Sequence, residues 1–324
     1  MDWRRKMYGK ICGTGSCVPK HVLDNEDLSR MVDTSDAWIQ ERTGVARRHI
    51  IEDETTVSMA VEAAQRALEN GNVRAEEVEL LIVSTFTSEI LLPCAACEVQ
   101  KRLGAVNAAC FDLNAACTGF LAAYQTAQAY IAAGSCRTVL LIGSESLSNM
   151  VDWKDRGTCI LFGDGAGAAV LRAEPGEVPL TVMHSDGGAG GALTLQSRHQ
   201  KNRGSGLDAG YIQMNGREVF QFAVKRVPEV IQELLEAGQV TLRQVDYFIL
   251  HQANKRIVES VAKRLGADIE KFPMNLQEYG NTSSASIPIL LDEMNRDGRL
   301  KQGQTIVLAG FGAGLSWGAA VLKW

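Results

Sequence analysis

The chain has 324 residues, 46% of them hydrophobic and 22% charged, with a formal net charge of −5 at pH 7. A chain of this length and composition forms a globular protein of two domains or of one large duplicated unit. Its negative charge gives no reason to expect a nucleic-acid partner, and no apolar run approaches the ~18 residues of a transmembrane helix. Because Met1–Lys6 is polar and basic with no apolar run behind it, we expect no signal peptide and a cytoplasmic protein.

Strands and helices alternate along the chain. Short, fully apolar runs are typical of strands that are covered on both faces of a sheet. The predicted strands are Leu80–Val83, Ala109–Leu113, Val139–Ile142, Tyr247–Leu250 and Thr305–Leu308, and the predicted helices are Thr56–Asn70, Gly119–Ala133, Lys255–Leu265 and Ser286–Arg296. This alternation predicts an α/β fold.

The second half of the chain repeats the first. Val78–Val83 resembles Val245–Leu250 at an offset of 167 residues, and Thr138–Leu141 resembles Thr305–Leu308 at the same offset. Two copies of one α/β unit account for this repeat. We therefore predict an N-terminal half, residues 1–173, and a C-terminal half, residues 174–324, joined near Glu174–Val178 with a cleft between them.

The eight cysteines lack the dense spacing of a small disulfide-rich domain, so we expect reduced thiols. Cys94 and Cys97 form a CxxC pair, which invites a metal or redox interpretation. A zinc site needs a second pair of ligands at suitable spacing, and none is evident. We predict two packed thiols near a helix start and no metal site.

Three segments far apart in sequence carry the chemistry: Asn114–Phe120, His251–Asn254 and Gly280–Ser283. Each lies at a predicted strand end or turn, so one fold can bring a thiol, an imidazole and a carboxamide together. A thiol can carry an acyl group, while an imidazole and an amide can donate hydrogen bonds to an enolate oxygen. The three segments predict carbon–carbon bond formation on thioesters.

Each of the three candidate residues also has a structural alternative. Cys117 could be a buried structural cysteine, but a strand-to-helix elbow favours a nucleophile, and the helix start favours the thiolate. His251 could be a packing residue, but it ends a strand where ligands meet α/β sheets, and a polar stretch of low bulk follows it. Asn281, taken alone, would be an ordinary turn or capping residue.

Two glycine-rich stretches remain. Gly163–Ala168 runs into an apolar strand rather than a helix, so we interpret it as a tight backbone crossing and not as a phosphate loop. Phe311–Gly314 follows the predicted strand Thr305–Leu308. It is placed to supply backbone amides beside the sulfur and to form an oxyanion hole with the amide of Cys117.

Ordered motifs along nearly the whole chain, from about Met7 to Trp324, resemble β-ketoacyl-acyl-carrier-protein synthase III, which starts bacterial type II fatty-acid synthesis. They include Asp33–Ile39, Arg42–Gly44, Asp155–Thr158, Phe162–Gly167 and Gly314–Gly318. The resemblance implies a thiolase-like fold in which two pseudo-symmetric halves build α-β-α-β-α layers. It also implies a homodimer that needs no cofactor, because the CoA thioester is a substrate.

The same resemblance implies a ping-pong reaction. Cys117 takes an acyl group from acyl-CoA, and malonyl-acyl-carrier protein then enters and loses carbon dioxide. The enolate, stabilised by His251 and Asn281, attacks the acyl-cysteine and gives β-ketoacyl-acyl-carrier protein.

Binding residues are implied by the resemblance as well. Trp38 and Arg156 correspond to contacts around the adenine of CoA, and Arg42 corresponds to a phosphate contact. Two basic residues on the helix after His251 correspond to a docking patch for the carrier protein. The implied CoA-binding residues are Thr34, Trp38, Arg42, Arg156, Gly216 and Asn254, and the implied docking residues are Arg256 and Lys263.

Three positions depart from the family pattern. Ala313 replaces the middle glycine of the oxyanion loop, and its amide can still donate if its φ is negative. Leu92 stands where some members carry a bulky Phe that limits the partner subunit's acyl pocket, so the acyl groups accepted can differ. Gln221 stands where a lysine is often found in the docking patch, with Lys225 and Arg226 nearby to compensate.

Several alternatives stay open. One is a ketosynthase III-like enzyme of secondary metabolism or of long-chain acyl condensation. Elongating ketosynthases carry a second His in place of Asn281, and the Cys-His-Asn set disfavours a degradative thiolase. A non-catalytic acyl-binding relative is a different class of protein, and retention of all three residues argues against it. The sequence does not name the acyl-CoA primer.

Overall fold

The computed structural model describes residues 6–197 and 210–324. The strands are β1 (Met7–Cys17), β2 (Val22–Asp24), β3 (Arg47–His49), β4 (Leu80–Ser84), β5 (Ala109–Leu113), β6 (Thr138–Glu145), β7 (Gly165–Pro175), β8 (Thr181–Ser185), β9 (Leu193–Leu195), β10 (Ile212–Met214), β11 (Tyr247–Leu250), β12 (Thr305–Gly312) and β13 (Ser316–Lys323). The helices are α1 (Asn25–Met31), α2 (Asp36–Thr43), α3 (Thr56–Asn70), α4 (Ala95–Leu103), α5 (Gly119–Ala132), α6 (Arg156–Cys159), α7 (Gly216–Ala237), α8 (Lys255–Leu265), α9 (Leu276–Tyr279) and α10 (Ser286–Arg296).

Two mixed sheets form the framework. The first has the strand order β1-β7-β6-β4-β5, and the second has the order β11-β12-β13-β8. In the first sheet β4 runs parallel to β5 and β6, with Leu80 opposite Val139, while β7 is antiparallel to its neighbours. In the second sheet β11 runs parallel to β12, with Tyr247 opposite Ile306, and the remaining pairs are antiparallel.

The second sheet repeats the order of the first. Strands β11, β12, β13 and β8 take the places of β4, β6, β7 and β1, respectively. The sequence repeat at an offset of 167 residues therefore corresponds to a repeated strand order. The predicted linker begins inside β7, because this strand continues to Pro175, and the division at residues 173 and 174 itself stays a prediction.

Buried apolar side chains arrange the helices and sheets in five layers. Along β4, Leu80 and Ile82 face a central cluster formed with α5, α10 and the second sheet, whereas Leu81 and Val83 face an outer cluster formed with α3 and α4. Helices α7 and α8 cover the other face of the second sheet. Because both faces of each sheet are covered, a central strand such as β4 is buried at every residue, and the predicted α/β architecture is confirmed.

Most predicted boundaries agree with the structure. Helices α3, α8 and α10 and strands β5 and β11 have the predicted bounds. The predicted end of the strand at Leu308 was wrong, because β12 pairs with β13 as far as Gly312. Phe311 and Gly312 therefore lie in the strand, and the chain turns only after them. Within residues 6–197 and 210–324, no helix combines the length and the apolar character needed to cross a membrane.

The glycine-rich stretch at Gly163–Ala168 is a backbone crossing, as predicted. A Cβ atom on Gly163 would lie 2.3 Å from the carbonyl oxygen of Tyr279, and one on Gly167 would lie 2.6 Å from the amide nitrogen of Ile289. No side chain fits at such distances. Glycine at these positions lets the segment of Asn281 and the first turns of α10 pack directly on β7.

Candidate active site

Cys117 lies in a strained turn between β5 and α5. Residues Ala116–Thr118 form a short 3-10 turn, in which Ala116 adopts the left-handed φ of 45°. The side-chain oxygen of Asn114 accepts a hydrogen bond from the Ala116 amide at 3.3 Å. Non-glycine residues keep such a conformation only where their surroundings hold it, and they are concentrated at functional sites. The turn leaves the Cys117 side chain 9% exposed.

Asn281 lies in the equivalent turn of the second half. Ser283, 167 residues after Ala116, has a φ of 50°, and its amide donates to Oδ1 of Asn281 at 2.9 Å. The backbone of Asn281 is held on both sides, since its amide donates to Leu161 at 2.8 Å and its carbonyl accepts from Gly163 at 3.1 Å. Because Oδ1 is occupied, Nδ2 is the end of the amide that remains for a substrate.

His251 follows β11 and is fixed by three contacts. Its amide donates to the carbonyl of Ala309 at 2.8 Å, its Nδ1 lies 2.7 Å from Oγ of Ser286, and the edge of its ring meets Phe311 at a centroid distance of 5.2 Å. Burial lowers the pKa of His251 to about 3, so the imidazole is neutral at physiological pH.

The surroundings of Ser286 favour one tautomer of His251. Its Oγ already accepts a hydrogen bond from the amide of Gln252 at 3.3 Å, and its hydroxyl hydrogen is available to donate to Nδ1 of His251. A neutral imidazole that accepts at Nδ1 carries its proton on Nε2. Nε2 is therefore a hydrogen-bond donor.

The three predicted catalytic residues line one cavity of about 510 Å³. It extends from Cys117, His251 and Asn281 to the surface at Arg42 and Arg256. A second cavity of about 410 Å³ meets the first at Cys117, and it is lined mainly by apolar side chains. These apolar residues include Phe86, Leu91, Leu147, Met150, Phe162, Leu193 and Ile212. Cys117 therefore lies where an open channel meets an apolar pocket.

The thiol of Cys117 is neutral at rest. Burial raises its pKa to about 12, a hydrogen bond with Ser283 lowers it, and the nearby carboxylate of Glu145 raises it. The helix start was predicted to favour the thiolate through the helix dipole, but burial outweighs any such effect and the pKa lies above its ordinary value. Acylation of Cys117 therefore requires an acceptor for the thiol proton.

The oxyanion loop approaches the sulfur closely. A Cβ atom on Gly312 would lie 2.8 Å from Cβ of Cys117, so only glycine fits there. Ala313 follows it and lines the apolar pocket with Cys117. Ala313 is not among the non-glycine residues with positive φ in the described part of the chain. The backbone condition for an alanine amide in this loop is therefore met.

The residues implied for the adenine lie together near the start of α2. Two guanidinium groups lie over the half-buried ring of Trp38. The distance from the ring centroid to Cζ is 4.7 Å for Arg156 and 4.9 Å for Arg42. Arg156 also donates to the carbonyl of Asp33 at 2.7 Å. Beside them, Oγ1 of Thr34 is buried without a hydrogen-bond partner in the structure as described. An aromatic ring with guanidinium planes and a free hydroxyl suits a purine base.

The residues implied along the pantetheine arm line the channel. Gly216 is the first residue of α7, and Asn254 is the N-cap of α8. Oδ1 of Asn254 accepts from the amide of Arg256 at 2.8 Å, and its Nδ2 donates to the carbonyl of Arg42 at 3.0 Å. Asn254 therefore also has a structural function, because it joins the start of α8 to the end of α2.

Leu92 and the docking residues lie on the surface. The side chain of Leu92 is 88% exposed, and its neighbour Leu91 is the leucine that lines the apolar pocket. Arg256 and Lys263 are both exposed on α8. Arg256 lies over the ring of Phe220 at 5.5 Å and also lines the channel, so it borders two candidate sites at once.

All eight cysteines are free thiols, and Sγ of Cys94 lies 3.5 Å from Sγ of Cys97. Over the described residues, no group of three or more His, Cys, Asp and Glu side chains is arranged to hold a metal ion.

Three residues of the site were missed from the sequence. Ser283 and Ser286 follow Asn281 in what is an ordinary turn and helix start by sequence. Glu145 is a fully buried carboxylate at the end of β6. One signal could have indicated Glu145: it is an acidic residue that continues an apolar strand, and buried carboxylates are rare.

Comparison with known proteins identifies the family. The family model for 3-oxoacyl-[acyl-carrier-protein (ACP)] synthase III matches residues 111–191, and the model for its C-terminal part matches residues 235–324. The β-ketoacyl-[acyl-carrier-protein] synthase III of Clostridium acetobutylicum is 48% identical over 319 residues, covering 97% of this chain and 98% of the relative. The Xylella fastidiosa protein of that name is 44% identical over 322 residues and covers 99% of both.

Solved structures agree. The 3-oxoacyl-[acyl-carrier-protein] synthase III of Aquifex aeolicus matches with a TM-score of 0.92 at 43% identity, covering 98% of this chain and all of that one (100%). The priming β-ketosynthase of the R1128 polyketide biosynthetic pathway matches with a TM-score of 0.93 at 35% identity, covering 98% and 97%.

The duplicated sheets and their five layers thus form a thiolase-like enzyme fold. With 48% identity along nearly its whole length, the chain belongs to the β-ketoacyl-[acyl-carrier-protein] synthase III family. It is an acyltransferase, an initiating condensing enzyme of type II fatty-acid synthesis.

Proposed function

We propose that Cys117 takes an acyl group from acyl-CoA and that the acyl-enzyme then condenses with malonyl-acyl-carrier protein. One observation carries the proposal: Cys117, His251 and Asn281 line a single cavity that opens to the surface at Arg42. The apolar pocket beside Cys117 suits the acyl chain, and the open channel suits the pantetheine arm that CoA and the carrier protein share.

In the first half-reaction the sulfur of Cys117 attacks the thioester carbonyl. The developing oxyanion accepts hydrogen bonds from the backbone amides of Cys117 and Ala313. A carbon–sulfur bond forms to Cys117, the bond to the CoA sulfur breaks, and free CoA leaves. Amide donors placed before the reaction are effective because they need no reorganisation in the transition state.

In the second half-reaction malonyl-acyl-carrier protein loses carbon dioxide. The enolate oxygen that forms accepts hydrogen bonds from Nε2 of His251 and Nδ2 of Asn281, the two atoms that the site leaves for a substrate. The enolate carbon attacks the acyl group on Cys117, the carbon–sulfur bond to Cys117 breaks, and the sulfur takes up one proton from solvent to become a thiol again. The products are β-ketoacyl-acyl-carrier protein and carbon dioxide, and no cofactor takes part.

CoA binds along the channel in this proposal. Its adenine lies against Trp38 and Arg156 near Thr34, its phosphates lie at Arg42, and its pantetheine arm passes Gly216 and Asn254. The acidic carrier protein docks on α8 at Arg256 and Lys263. Both acyl carriers therefore reach Cys117 through one opening.

We also propose a cytoplasmic homodimer that forms along β5. This strand is the free edge of the first sheet, and three large apolar side chains are exposed nearby: Leu92, Val106 and Tyr130. An unpaired edge with apolar neighbours is a surface that proteins cover. Leu92 then reaches the partner subunit's acyl pocket. Sedimentation analysis of the wild type tests for a dimer, and Leu92→Phe tests whether the acyl groups accepted become shorter.

Mass spectrometry of the acyl-enzyme tests the main proposal. Incubation with acetyl-CoA or a longer acyl-CoA should add one acyl mass to the peptide that contains Cys117, and a Cys117→Ser protein should show no adduct. An adduct that persists on another thiol of Cys117→Ser would contradict the assignment. A panel of donors from two carbons to branched five-carbon and medium chains then identifies the primer.

A second candidate function is the priming of a secondary metabolic pathway, and the match to the R1128 priming ketosynthase favours it. Assays with the carrier protein of each pathway separate the two. Priming of primary fatty-acid synthesis predicts turnover with the carrier protein of that pathway, whereas a secondary pathway predicts turnover only with a dedicated carrier protein.

A further inference from the structure

Glu145 is a buried carboxylate for which the proposed reaction has no use so far. It ends β6 directly beneath the site and is 0% exposed. Five donors surround it and come from two segments, the residues after β4 and the turn after Asn281. They are Thr87 Oγ1 at 2.7 Å, Thr85 Oγ1 at 3.2 Å and the Phe86 amide at 3.3 Å on one oxygen, and Ser284 Oγ at 2.9 Å and Ser283 Oγ at 3.4 Å on the other.

Ser283 connects this carboxylate to the nucleophile. Its hydroxyl donates to Glu145 at 3.4 Å. Its side chain also lines the apolar pocket together with Cys117, and it lowers the pKa of that thiol. A serine hydroxyl both accepts and donates. Ser283 therefore lies between the thiol and the buried carboxylate, where its hydroxyl can relay a proton from one to the other.

The reaction needs a proton acceptor that the residues assigned so far do not supply. The pKa of Cys117 is about 12, and the pKa of His251 is about 3 with its proton already on Nε2. His251 is therefore too weak a base to take the thiol proton. Burial raises the pKa of Glu145 to about 7, despite its hydrogen bonds, and general bases work best near the ambient pH.

We propose that Glu145 accepts, through the hydroxyl of Ser283, the proton that Cys117 loses when it is acylated. The proposal rests on the proposed acylation of Cys117. The thiol hydrogen passes to Ser283 while the serine hydrogen passes to Glu145, and the carbon–sulfur bond forms. When the tetrahedral intermediate collapses, the proton returns by the same path to the departing CoA sulfur, which leaves as a thiol. No proton is gained or lost overall.

The charge of Glu145 determines when the proton moves. A carboxylate close to Cys117 disfavours an isolated thiolate, so the proton transfer accompanies attack on the carbonyl rather than preceding it. Glu145 acts directly on the ionisation of Cys117, whose pKa it raises. The remaining neighbours of the carboxylate are neutral hydroxyls and one backbone amide, so its own titration should appear in the acylation step.

Two neighbouring serines provide a matched test. Ser283→Ala removes the hydroxyl that relays the proton, but it keeps the hydrogen bond from the backbone amide of residue 283 to Asn281. Alanine can adopt the positive φ of this position, because Ala116 has nearly the same φ at the equivalent position of the first half. Ser284→Ala removes the shorter hydrogen bond to Glu145 and leaves the path intact. In quenched-flow acylation by acyl-CoA, read by intact mass, Ser283→Ala should be slower by about 100-fold. Ser284→Ala removes a hydrogen bond that lowers the pKa of Glu145, so its acylation should still rise with pH, but at a higher pH than in the wild type.

The pH profile distinguishes a proton path from a structural contact. Acylation of the wild type should rise through about pH 7 as Glu145 loses its proton. Ser283→Ala and Glu145→Gln should lack this rise. Equal slowing in both serine variants at alkaline pH, where Glu145 is ionised in each, or a rise near pH 7 that persists in Glu145→Gln, would overturn the proposal. A wild type that never forms an acyl adduct would instead refute the proposed function itself.

Discussion

Single atoms of the site divide the work between the two half-reactions. Acylation uses the sulfur of Cys117 and backbone amides, whereas decarboxylation uses Nε2 of His251 and Nδ2 of Asn281. Each of these two nitrogens is left for a substrate because its neighbour in the same side chain is already bound, Nδ1 by Ser286 and Oδ1 by the Ser283 amide. Substitutions at single residues should therefore separate the half-reactions.

His251→Ala and Asn281→Ala should each acylate Cys117 at close to the wild-type rate. Condensation should fall by about two to three orders of magnitude, because each variant lacks one donor to the enolate oxygen. Acyl-enzyme formation by mass spectrometry and carbon dioxide release from malonyl-acyl-carrier protein measure the two steps separately. Loss of acylation, with condensation intact from a pre-acylated enzyme, would reverse the assignment.

Ser286→Ala removes the hydroxyl that donates to Nδ1 of His251. The imidazole is then free to carry its proton on either nitrogen, so we expect condensation to fall by about 10-fold. This is the low end of the loss known for the orienting partners of metal-bound histidines. Acylation should not change. Ser286→Thr restores a hydroxyl and serves as the control, and condensation as slow as in Ser286→Ala would count against an orienting function.

At the scale of elements, the sequence predicted what depends on local patterning. The bounds of helices α3, α8 and α10 were predicted correctly from the sequence alone. The end of β12 was misplaced, because Phe311 and Gly312 continue the strand only through their pairing with β13. Such pairing is a long-range contact, and a glycine-rich sequence carries no local signal for it.

The 3-10 turns at Ala116–Thr118 and Ser283–Ala285 have the same backbone geometry but different functions in the site. Ala116 and Ser283 hold the same unusual φ, and each amide donates to an asparagine two residues earlier. The next residue is the nucleophile Cys117 in one half and Ser284, a ligand of the buried carboxylate, in the other. The sequence repeat predicted that the turns correspond, but not that they face one another across the path to Glu145.

Helix α8 offers a charge-reversal test of carrier docking. Lys263→Glu should raise the Michaelis constant for malonyl-acyl-carrier protein and leave acyl transfer from CoA nearly unchanged. Arg264→Glu makes the same change one residue along, on a different face of the helix, and is the control. Arg256→Glu is less selective, since Arg256 also lines the channel.

The effect of Lys263→Glu should weaken as salt is added, because exposed charges are screened over about 8 Å at physiological ionic strength. Steady-state kinetics at two salt concentrations measure this. A similar rise in the Michaelis constant for Lys263→Glu and Arg264→Glu would indicate general repulsion rather than a docking site.

At the scale of the whole molecule, burial creates properties that the sequence did not reveal. Glu145 is surrounded by donors from residues 85–87 and 283–284, which are distant in sequence and meet only when the two halves pack together. The same packing removes His251 from water. The sequence indicated the three catalytic residues by their motifs, whereas the protonation states of the thiol, the imidazole and the carboxylate depend on the assembled core.

Burial of His251 also predicts how stability depends on pH. Its pKa is about 3 in the folded protein, against an ordinary value of 6.5. At a pH between these two values, the unfolded chain therefore binds a proton at His251 that the folded protein does not bind. The stability contributed by the neutral imidazole is complete above pH 6.5 and is lost as the pH falls toward 3. At pH 5 this loss should amount to about 2 kcal/mol.

His251→Gln removes this titration and keeps a polar side chain of similar length. Urea unfolding of the wild type and of His251→Gln at pH 8 and pH 5, at one protein concentration, measures the effect. Glu145, whose raised pKa makes the protein less stable as the pH rises toward 7, is present in both proteins and cancels in the comparison. The wild type should therefore lose about 2 kcal/mol more than His251→Gln between pH 8 and pH 5. Equal losses in the two proteins would mean that His251 takes up its proton in the folded state, which is incompatible with a neutral imidazole that donates from Nε2.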